Sequence, residues 1–572
     1  MDNFRFKDMP YSRPDCAALK KRLKAIVAQA KKAKTYEQLK AAFTKFEAEL
    51  VEFIQMTTIA SIRHTLDTTD KFYEAENEWL DKQGPLVSAV MLGLIKVLLD
   101  KKWEKDLRAD YGDELIESLE RSRRSFSPKI ILLAQKESVL CSKYQKLIAS
   151  AKIPFEGGEH NLYGMKKFME HEDREVRKAA WDAYIGFFAQ HEKEMEDIFD
   201  QLVKLRHKMG KRMGFDNFVP LGYLQQSRSD YGRKEIEAFR EQVRTVLTPF
   251  CAELYEAQRK RLGVDELMVW DEERIYPDGN ADPIGTEAEL VEKARQMYHE
   301  LSPESAEFID YMIDHDLMDL TNRPGKAATG YCTMLPVLKA PFVFSCFNGT
   351  LGDVHVLTHE LGHAIAAYRA SRRAKTMLLT QSGTDIAEIH SMAMEQFCHP
   401  WAESFFGENA DKFRFTHTQN ALTFVPFGVA VDEFQHICYD NPNLTPKQRT
   451  AEWRKLEEKY MPWRKYAAED EFANRGGWWY HKIHIFLYPM YYINYTLTTM
   501  GALEFGKRAT EDWESTWKDY LALCDAGGSL SYLNLLKVAN VSVPFEEGSV
   551  EKATSHARQV LKEAIEKEGN RD

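Results

Sequence analysis

Apolar residues recur at helical spacing through most of the first 210 positions. Between residues 36 and 56 they are separated by steps of three and four, at Leu39, Phe43, Phe46, Leu50 and Phe53. This spacing places the side chains on one face of a helix, where they can pack against other helices. Similar runs occur near residues 130–150 and 190–213. The pattern therefore predicts almost continuous helix from about residue 15 to residue 210.

A second helical block is predicted to begin near Arg233, with one apolar face formed by Ile236, Phe239, Val243, Val246, Leu247 and Phe250. The stretch 270–285 is rich in turn-forming residues and predicts an ordered loop. The β-prone segments YCTML and FVFSCF flank residues 335–341 and predict a hairpin. Helical patterns then continue to the end, so we expect a mainly α protein with one small sheet.

The charge balance and the cysteine pattern narrow the class of protein. A net charge of −11 argues against nucleic acid as a partner, because phosphate binding requires clustered cations. The polar N-terminus lacks a signal-peptide core, and the apolar run 87–99 is interrupted by Lys96 and too short to span a bilayer. The eight cysteines form no C-x-x-C pair. We expect free thiols, a cytoplasmic location and no membrane partner.

The segment HELGH at 359–363 carries the clearest candidate chemistry. Residues four apart lie on one helix face, so His359 and His363 can both direct a ring nitrogen at one zinc ion. Glu360 can reach the open coordination position and take a proton from water there. The neighbours are apolar, which predicts a buried helix whose polar groups need partners. Gly362 leaves room for another chain segment to approach closely.

A zinc peptidase with this motif needs a third protein ligand. The class with a third histidine six residues after the second is excluded, because that position is Arg369. The segment TDIAEIHSMAMEQF at 384–397 offers carboxylates among Ala and Met, where they are costly unless paired or metal-bound. We predict Glu388 as the ligand and Glu395 as a group that orients a ligand histidine. His390 is a rival ligand.

The segment HKIHIFLYPMYYINY at 481–495 combines histidines and tyrosines. Pro489 suits the first turn of a helix, so we predict that a helix begins near Tyr488. Tyr488, Tyr492 and Tyr495 would then lie along one face, where a phenol can donate a hydrogen bond to an oxyanion. His484, just upstream, could also donate. The alternative is that this stripe of tyrosines only packs in the core.

The HELGH-to-Glu388 spacing, the EIHSMAMEQF context and this His–Tyr segment resemble the thimet oligopeptidase / oligoendopeptidase F family of zinc metallopeptidases. The resemblance covers most of the chain and is closer to the bacterial oligoendopeptidase branch, which includes Pz-peptidase-like members. It implies two helical halves enclosing a deep channel that admits short unstructured peptides. It also implies that His359, His363 and Glu388 hold one zinc ion and that Glu360 is the general base.

The resemblance implies further substrate-binding groups. His484, Tyr488, Tyr492 and Tyr495 would bind substrate carbonyls and stabilise the oxyanion, although the gap from His484 to Tyr488 is one residue shorter than in thimet oligopeptidase. A turn with Gly325, Gly330 and Tyr331 resembles the family's glycine-containing loop near the substrate. We expect an N-terminal helical region at 1–210 and a catalytic region at 211–572, with the two halves interlocking.

The expected function is that of a cytoplasmic zinc endopeptidase acting on short peptides, with the strand Phe342–Phe347 binding the substrate by strand addition. One alternative is a carboxypeptidase or dipeptidyl carboxypeptidase, which needs a cation for the terminal carboxylate. Another is a non-catalytic, zinc-containing peptide-binding protein, against which the intact Glu360 argues. A monomer and a small homo-oligomer are both compatible with the sequence, and cobalt or manganese can occupy similar sites.

Overall fold

The computed structural model describes residues 4–327 and 329–569, and most of them are helical. The first twelve helices are α1 Cys16–Lys32, α2 Tyr36–Leu66, α3 Lys71–Leu98, α4 Lys101–Tyr111, α5 Asp113–Ser125, α6 Ile131–Ala149, α7 Leu162–Met169, α8 Arg174–Arg212, α9 Val219–Gln225, α10 Arg233–Gln242, α11 Thr248–Arg261 and α12 Glu287–Leu301. The remaining helices are α13 Pro303–Asp314, α14 Leu351–Arg373, α15 Thr384–Phe397, α16 Ala402–Phe406, α17 Ala410–Asp440, α18 Pro446–Tyr460, α19 Glu471–Asn474, α20 Ile483–Leu487, α21 Ile493–Glu511, α22 Trp513–Ala526, α23 Tyr532–Ala539 and α24 Ser549–Gly569.

Short segments complete the secondary structure. The strands are β1 Ile153–Phe155, β2 Gly158–His160, β3 Met318–Asp319, β4 Tyr331–Leu335 and β5 Ala340–Phe344. A π-helical stretch, Val243–Leu247, joins α10 to α11. Short 3₁₀ helices cover Phe6–Asp8, Pro128–Ile130, Val269–Asp271, Met377–Leu379, His399–Trp401, Gly407–Asn409 and Gly477–His481.

The chain divides into two compact units, each built from three separate segments. The first unit contains Met1–Arg123, Asp282–Glu408 and Arg508–Val541. The second unit contains Arg124–Ala281, Asn409–Lys507 and Ser542–Asp572. This division differs from the expected regions 1–210 and 211–572, whose boundary falls inside α8. The segments of each unit are joined by packing between helices far apart in sequence, which helical periodicity does not reveal.

The helical prediction for the N-terminal part is confirmed at α2. Its predicted apolar stripe is buried, and it packs in a core with α1 and α3. The helices begin where capping residues satisfy backbone N–H groups: Asp15 accepts from Ala17 and Ala18, and Thr35 accepts from Gln38. Among the described helices, none alone has the length and apolar character needed to cross a membrane, whereas the bent pair α3–α4 meets that criterion when its two helices are combined.

The predicted hairpin before the HELGH helix is confirmed, but its place in the sheet differs from the expectation. β4 and β5 pair antiparallel, and β3 pairs parallel with the other side of β5. The order β3-β5-β4 makes β5 the central strand. Strand addition to Phe342–Phe347 is therefore wrong. β4 pairs with residues 340–344, and β3 pairs with residues 343–344 on the other side of β5. A second hairpin, β1–β2, was not expected.

β4 is one of the two outer strands of this sheet, and β3 is the other. The N–H groups of Val343 and Ser345 donate to carbonyl oxygens on the β3 side of β5. Successive residues of a strand direct their backbone groups to opposite sides, so residues 342 and 344 face β4. Their partners in β4 are Thr333 and Tyr331. The backbone groups of Cys332 and Met334 therefore point away from β5, along the open edge.

Candidate metal centre

Helix α14, which carries HELGH, begins at a turn anchored by its own first residues. Thr350 caps the helix by accepting a hydrogen bond from the Gly352 N–H. The Asp353 carboxylate accepts from the N–H groups of Asn348 and Gly349, at 2.9 and 2.7 Å. The predicted apolar face is buried at Leu357, Leu361, Ala364 and Ile365. The two histidines thus project from a helix whose start and opposite face are both fixed.

Gly362 allows helix α15 to approach α14 closely. A Cβ atom at this position would lie 2.7 Å from the Ser391 Cα and 2.8 Å from the His390 carbonyl oxygen. Real Cβ contacts with backbone atoms are essentially never this short. The predicted close approach is therefore confirmed. The nearest residue, Ser391, lies one helical turn after Glu388 on α15.

The three predicted ligand residues lie together in the first unit. The Oε2 atom of Glu388 is 3.3 Å from the Nε2 atoms of both His359 and His363. All three donor atoms lie within 4.8 Å of one another. Around a tetrahedral ion with bonds of about 2.0–2.1 Å, ligand atoms are separated by about 3.3–3.4 Å. The donor set and its spacing therefore fit one metal ion with a fourth position left for water or substrate.

The electrostatics of these side chains favour a positive charge among them. Burial disfavours the charged form of Glu388, but the hydrogen bonds from His359 and His363 hold its pKa well below its usual range. Burial likewise opposes protonation of His359, yet Glu388 and Glu395 raise the pKa of its imidazole well above the usual value. Two buried carboxylates around one imidazole thus create a site that favours a cation.

Glu395 contacts the His359 ring on the side away from Glu388. Its Oε1 atom lies 2.6 Å from His359 Nδ1, a hydrogen-bond distance, which leaves Nε2 directed at the other two ligands. His355 also reaches Glu395, with 3.5 Å between Nδ1 and Oε2, so His355, His359 and Glu395 form a second group of potential ligands. The two groups share His359 and differ in their other members, His363 with Glu388 in one and His355 with Glu395 in the other. His355 lies four residues before His359, a signal that the sequence analysis missed.

His390, the rival ligand, does not join either group. Its side chain is buried, and burial together with the nearby His363 lowers its pKa to about 4. Its Nε2 atom has no hydrogen-bond partner in the described part of the chain. The backbone carbonyl of His390 accepts a hydrogen bond of 2.9 Å from Tyr520 on α22, which holds α15 in place.

Glu360 is half-buried on the helix face next to the ligands. Within residues 4–327 and 329–569 its carboxylate makes no hydrogen bond or ion pair, in contrast to Glu388 and Glu395. A carboxylate that is not committed to a protein partner is available to accept a proton. The thiol of Cys332 on β4 is near enough for Glu360 to contribute, after burial, to the rise of its pKa.

The predicted tyrosine helix is wrong at its start, although its residues do gather. Helix α20 ends at Leu487 and α21 begins at Ile493, so of the three predicted tyrosines only Tyr495 is helical. Met490 between them has a left-handed φ of 64°, which breaks the helix. The intervening turn gathers the rings around His484 in the second unit.

Side chains from other elements hold this turn by its backbone. The Gln435 side-chain oxygen accepts the Met490 N–H at 2.8 Å, and Gln226 donates to the Pro489 carbonyl at 3.1 Å. Arg228 donates to the Met490 carbonyl and to the Asn494 side chain. These hydrogen bonds offset the free-energy cost of the left-handed backbone at Met490. They lie far away in sequence, and no local pattern predicted them.

The rings of this cluster have different surroundings. The His484 ring centroid lies 4.9 Å from that of Tyr492 and 5.7–5.9 Å from those of Tyr488, Tyr491 and Tyr495. Tyr492 is buried, whereas Tyr488 is 49% exposed. Burial, and then Lys482, lower the pKa of His484 to about 3, so its imidazole is neutral at pH 7. Tyr491 was missed because it does not share the predicted helical spacing.

The glycine-containing turn before β4 is anchored rather than flexible. The Gly325 carbonyl accepts the N–H and the hydroxyl of Thr68, at 2.7 and 2.8 Å. Lys326 is buried and donates to the Asp319 side chain and to three backbone carbonyls. Gly330 is exposed. Tyr331 stacks on Phe344 and shares a 2.6 Å hydrogen bond with the Thr65 hydroxyl. The structure places these three residues in the first unit.

Replacing Gly362 with alanine should disturb the metal centre through the backbone. The added methyl group would push α15, and Glu388 with it, away from α14. We expect a loss of about 1–3 kcal/mol in the free energy of unfolding, as is typical of overpacking, and weaker metal binding. Denaturant unfolding and metal titration would measure both. Gly186→Ala on α8 is the control, because nothing lies within 4 Å of its new Cβ; equal effects of the two changes would contradict the prediction.

Known proteins that resemble this chain are peptidases. The model of the peptidase M3 N-terminal domain matches residues 6–126, and the model of peptidase family M3 matches residues 167–554. The chain is 24% identical over 422 residues to the chromosomal oligoendopeptidase F of Lactococcus lactis subsp. cremoris. This matched region covers 69% of this chain and 65% of that protein. It is 22% identical over 554 residues to the oligopeptidase PepF of Bacillus subtilis (strain 168), covering 90% and 79% of the two chains.

A solved structure described as "PZ peptidase A with inhibitor 2" is similar over nearly the whole length. It is 41% identical, covers 98% of this chain and 99% of its own, and superposes with a TM-score of 0.92. The family model spans more than half of the chain, and the described residues contain the His–His–Glu group that a metallopeptidase requires. The protein therefore belongs to peptidase family M3 and is a metalloendopeptidase that hydrolyses oligopeptides.

Proposed function

We propose that the protein is a zinc-dependent endopeptidase of short peptides in which Glu360 is the general base. The observation that carries this proposal is the 3.3 Å spacing of Glu388 Oε2 from both histidine Nε2 atoms, on the helix that also presents Glu360. Two imidazoles and one carboxylate are a ligand set of catalytic zinc sites. When bound, zinc supplies a Lewis acid that polarises a carbonyl group and activates water.

Glu360 performs the proton transfers in this proposal. Its carboxylate would take a proton from the attacking water and deliver that proton to the nitrogen of the leaving amine. A carboxylate suits both steps because it is ionised before the attack and neutral after it. The absence of a hydrogen-bond or ion-pair partner for Glu360 among the described residues supports this role.

The open edge of β4 is the better candidate for binding the substrate backbone. Cys332 and Met334 direct their N–H and carbonyl groups away from β5, and such an edge can pair with an extended peptide. This proposal replaces the expected role of Phe342–Phe347. The anchoring of Gly325 and Lys326 supports it, because a fixed edge requires less ordering when a peptide binds.

The tyrosine cluster is proposed to stabilise the oxyanion. Tyr495 would donate a hydrogen bond to the negative charge that develops on the carbonyl oxygen, together with Tyr488 or His484. The partial exposure of Tyr488 and the neutral imidazole of His484 support donor roles. Tyr492 is buried between other rings, and we assign it to packing and to support of its neighbours.

Replacing Tyr495 with phenylalanine should lower kcat by about 10²–10³-fold, the usual cost of removing one oxyanion donor. KM should change much less, because the lost hydrogen bond is stronger in the transition state than in the ground state. Steady-state kinetics on one quenched peptide would measure both constants. Tyr163→Phe is the control, since that tyrosine is 70% exposed on α7. An unchanged kcat for the Tyr495 variant would limit this residue to packing.

The proposal as a whole is tested by hydrolysis of a short, internally quenched peptide with both ends blocked. We expect cleavage that stops on chelation and returns when one equivalent of zinc is added. Parallel additions of cobalt and manganese would show whether the metal preference is for zinc. Full activity of protein shown to be metal-free would overturn the proposal.

A further inference from the structure

Lys482 is a cation without an anionic partner beside the tyrosine cluster of the second unit. It is the N-cap residue of α20, and its side chain is half-buried. The Nζ atom lies 4.4 Å from the ring centroid of Tyr492 and 5.4 Å from that of Phe427. Within residues 4–327 and 329–569 it makes no ion pair or hydrogen bond with another side chain or with the backbone. An ammonium group is seldom left in such surroundings.

The charged groups that the described residues place around Lys482 do not neutralise its positive charge. Burial and then the repulsion of Lys166 lower the pKa of Lys482 to about 7, and no carboxylate of the described residues opposes this shift. The neighbouring imidazoles are neutral, since burial and Lys482 also lower the pKa values of His481 and His484.

A charged lysine in this position lowers the free energy of unfolding unless another group offsets the partial dehydration of its ammonium group. The two aromatic rings offset only part of this cost, because a ring face attracts a cation less strongly than a carboxylate does. An apolar residue of similar length would fill the same space without the penalty of a partly dehydrated charge. The positive charge is thus better explained by a ligand than by packing.

We propose that Lys482 is a specificity-determining residue that binds a carboxylate of the peptide substrate. This inference rests on the proposed function, because His484 and the tyrosines are the groups assigned there to the substrate. The ring of Tyr492 lies under the Lys482 Nζ atom and 4.9 Å from the His484 ring, which places the cation next to those groups. The carboxylate belongs either to an acidic side chain or to the C-terminus of the peptide.

The test uses four quenched peptides derived from one neutral sequence. One has both ends blocked, and one has a free C-terminal carboxylate. The other two are blocked and carry glutamate in place of a glutamine, one on each side of the cleaved bond. We expect the wild-type enzyme to prefer one carboxylate peptide over the neutral one by about 10–100-fold in kcat/KM, the range expected of a charged hydrogen bond. The preferred peptide identifies the source of the carboxylate.

Lys482→Met should reduce this preference to within about twofold, mainly by raising KM for the carboxylate peptide, while Lys482→Arg should retain part of it. Lys167→Met removes an exposed charge from α7 and should keep the full preference. A wild-type enzyme without a carboxylate preference, or a Lys482→Met variant that retains one, would overturn the inference.

A binding measurement separates failure of this inference from failure of the proposed function. Fluorescence anisotropy with the same peptides and metal-free enzyme requires no turnover. Carboxylate-dependent binding that disappears in Lys482→Met supports the inference even if no peptide is cleaved. Chelator-sensitive cleavage of the neutral peptide, without carboxylate-dependent binding, would leave the proposed function intact and refute the role of Lys482.

Discussion

Glu360→Gln should lower kcat by about 10²–10⁴-fold, the range that a positioned general base contributes. Glutamine has nearly the same shape as glutamate but cannot accept the proton from water. Metal content should stay at the wild-type level, because the ligands His359, His363 and Glu388 are untouched. Steady-state kinetics and elemental analysis of the same preparation would measure both quantities.

The control for this variant is Glu292→Gln on α12, which neutralises an exposed glutamate of the same unit. It should leave kcat and metal content unchanged, which shows that loss of one negative charge is not the cause. Near-normal turnover by Glu360→Gln with metal bound would refute the assigned base. Loss of metal in this variant would instead show that Glu360 supports the site structurally.

Glu388→Ala should abolish stable metal binding and, with it, nearly all hydrolysis. The substitution removes one of the three proposed ligands and leaves the two histidine Nε2 atoms without the carboxylate that lies 3.3 Å from each. The loss of metal affinity should exceed the roughly 10–100-fold effect typical of residues that only orient a ligand. Competition with a chromophoric chelator would give the affinity, and circular dichroism would verify the fold.

Two companion variants make this test specific. Glu395→Gln should weaken metal affinity by only about 10–100-fold. Glu395 is proposed to orient His359 through Nδ1 and is not assigned as a metal ligand. His390→Gln should retain the metal, since its ring does not belong to either ligand group of the described residues. Metal loss in His390→Gln combined with retention in Glu388→Ala would reverse the assignment of the third ligand.

Much of the metal centre could be predicted from the sequence because its chemistry follows local periodicity. His359 and His363 lie four residues apart and therefore share a helix face whatever the rest of the chain does. Glu388 and Glu395 could be selected because carboxylates on an apolar helix face require partners. Helical spacing likewise identified the apolar stripe on α2, which is buried.

The tyrosine cluster shows where local reasoning is insufficient. Pro489 suggested the start of a helix, but the Met490 backbone is held in a left-handed turn by Gln226, Arg228 and Gln435. These residues lie more than 50 positions away, so their hydrogen bonds exist only after the unit has folded. The turn also brings Tyr491 to the cluster, which helical spacing did not place there.

The sequence by itself determined the helical character, the residue types around the metal and the identity of the base candidate, because these depend on interactions within one or two helical turns. Only the tertiary structure decided that α15 packs against α14 at Gly362, that β5 is central and β4 the edge, and that Lys482 lies against Tyr492 without a carboxylate partner among the described residues. The physical reason is that packing, strand order and charge balance depend on segments that are distant in the chain and meet only in the folded protein.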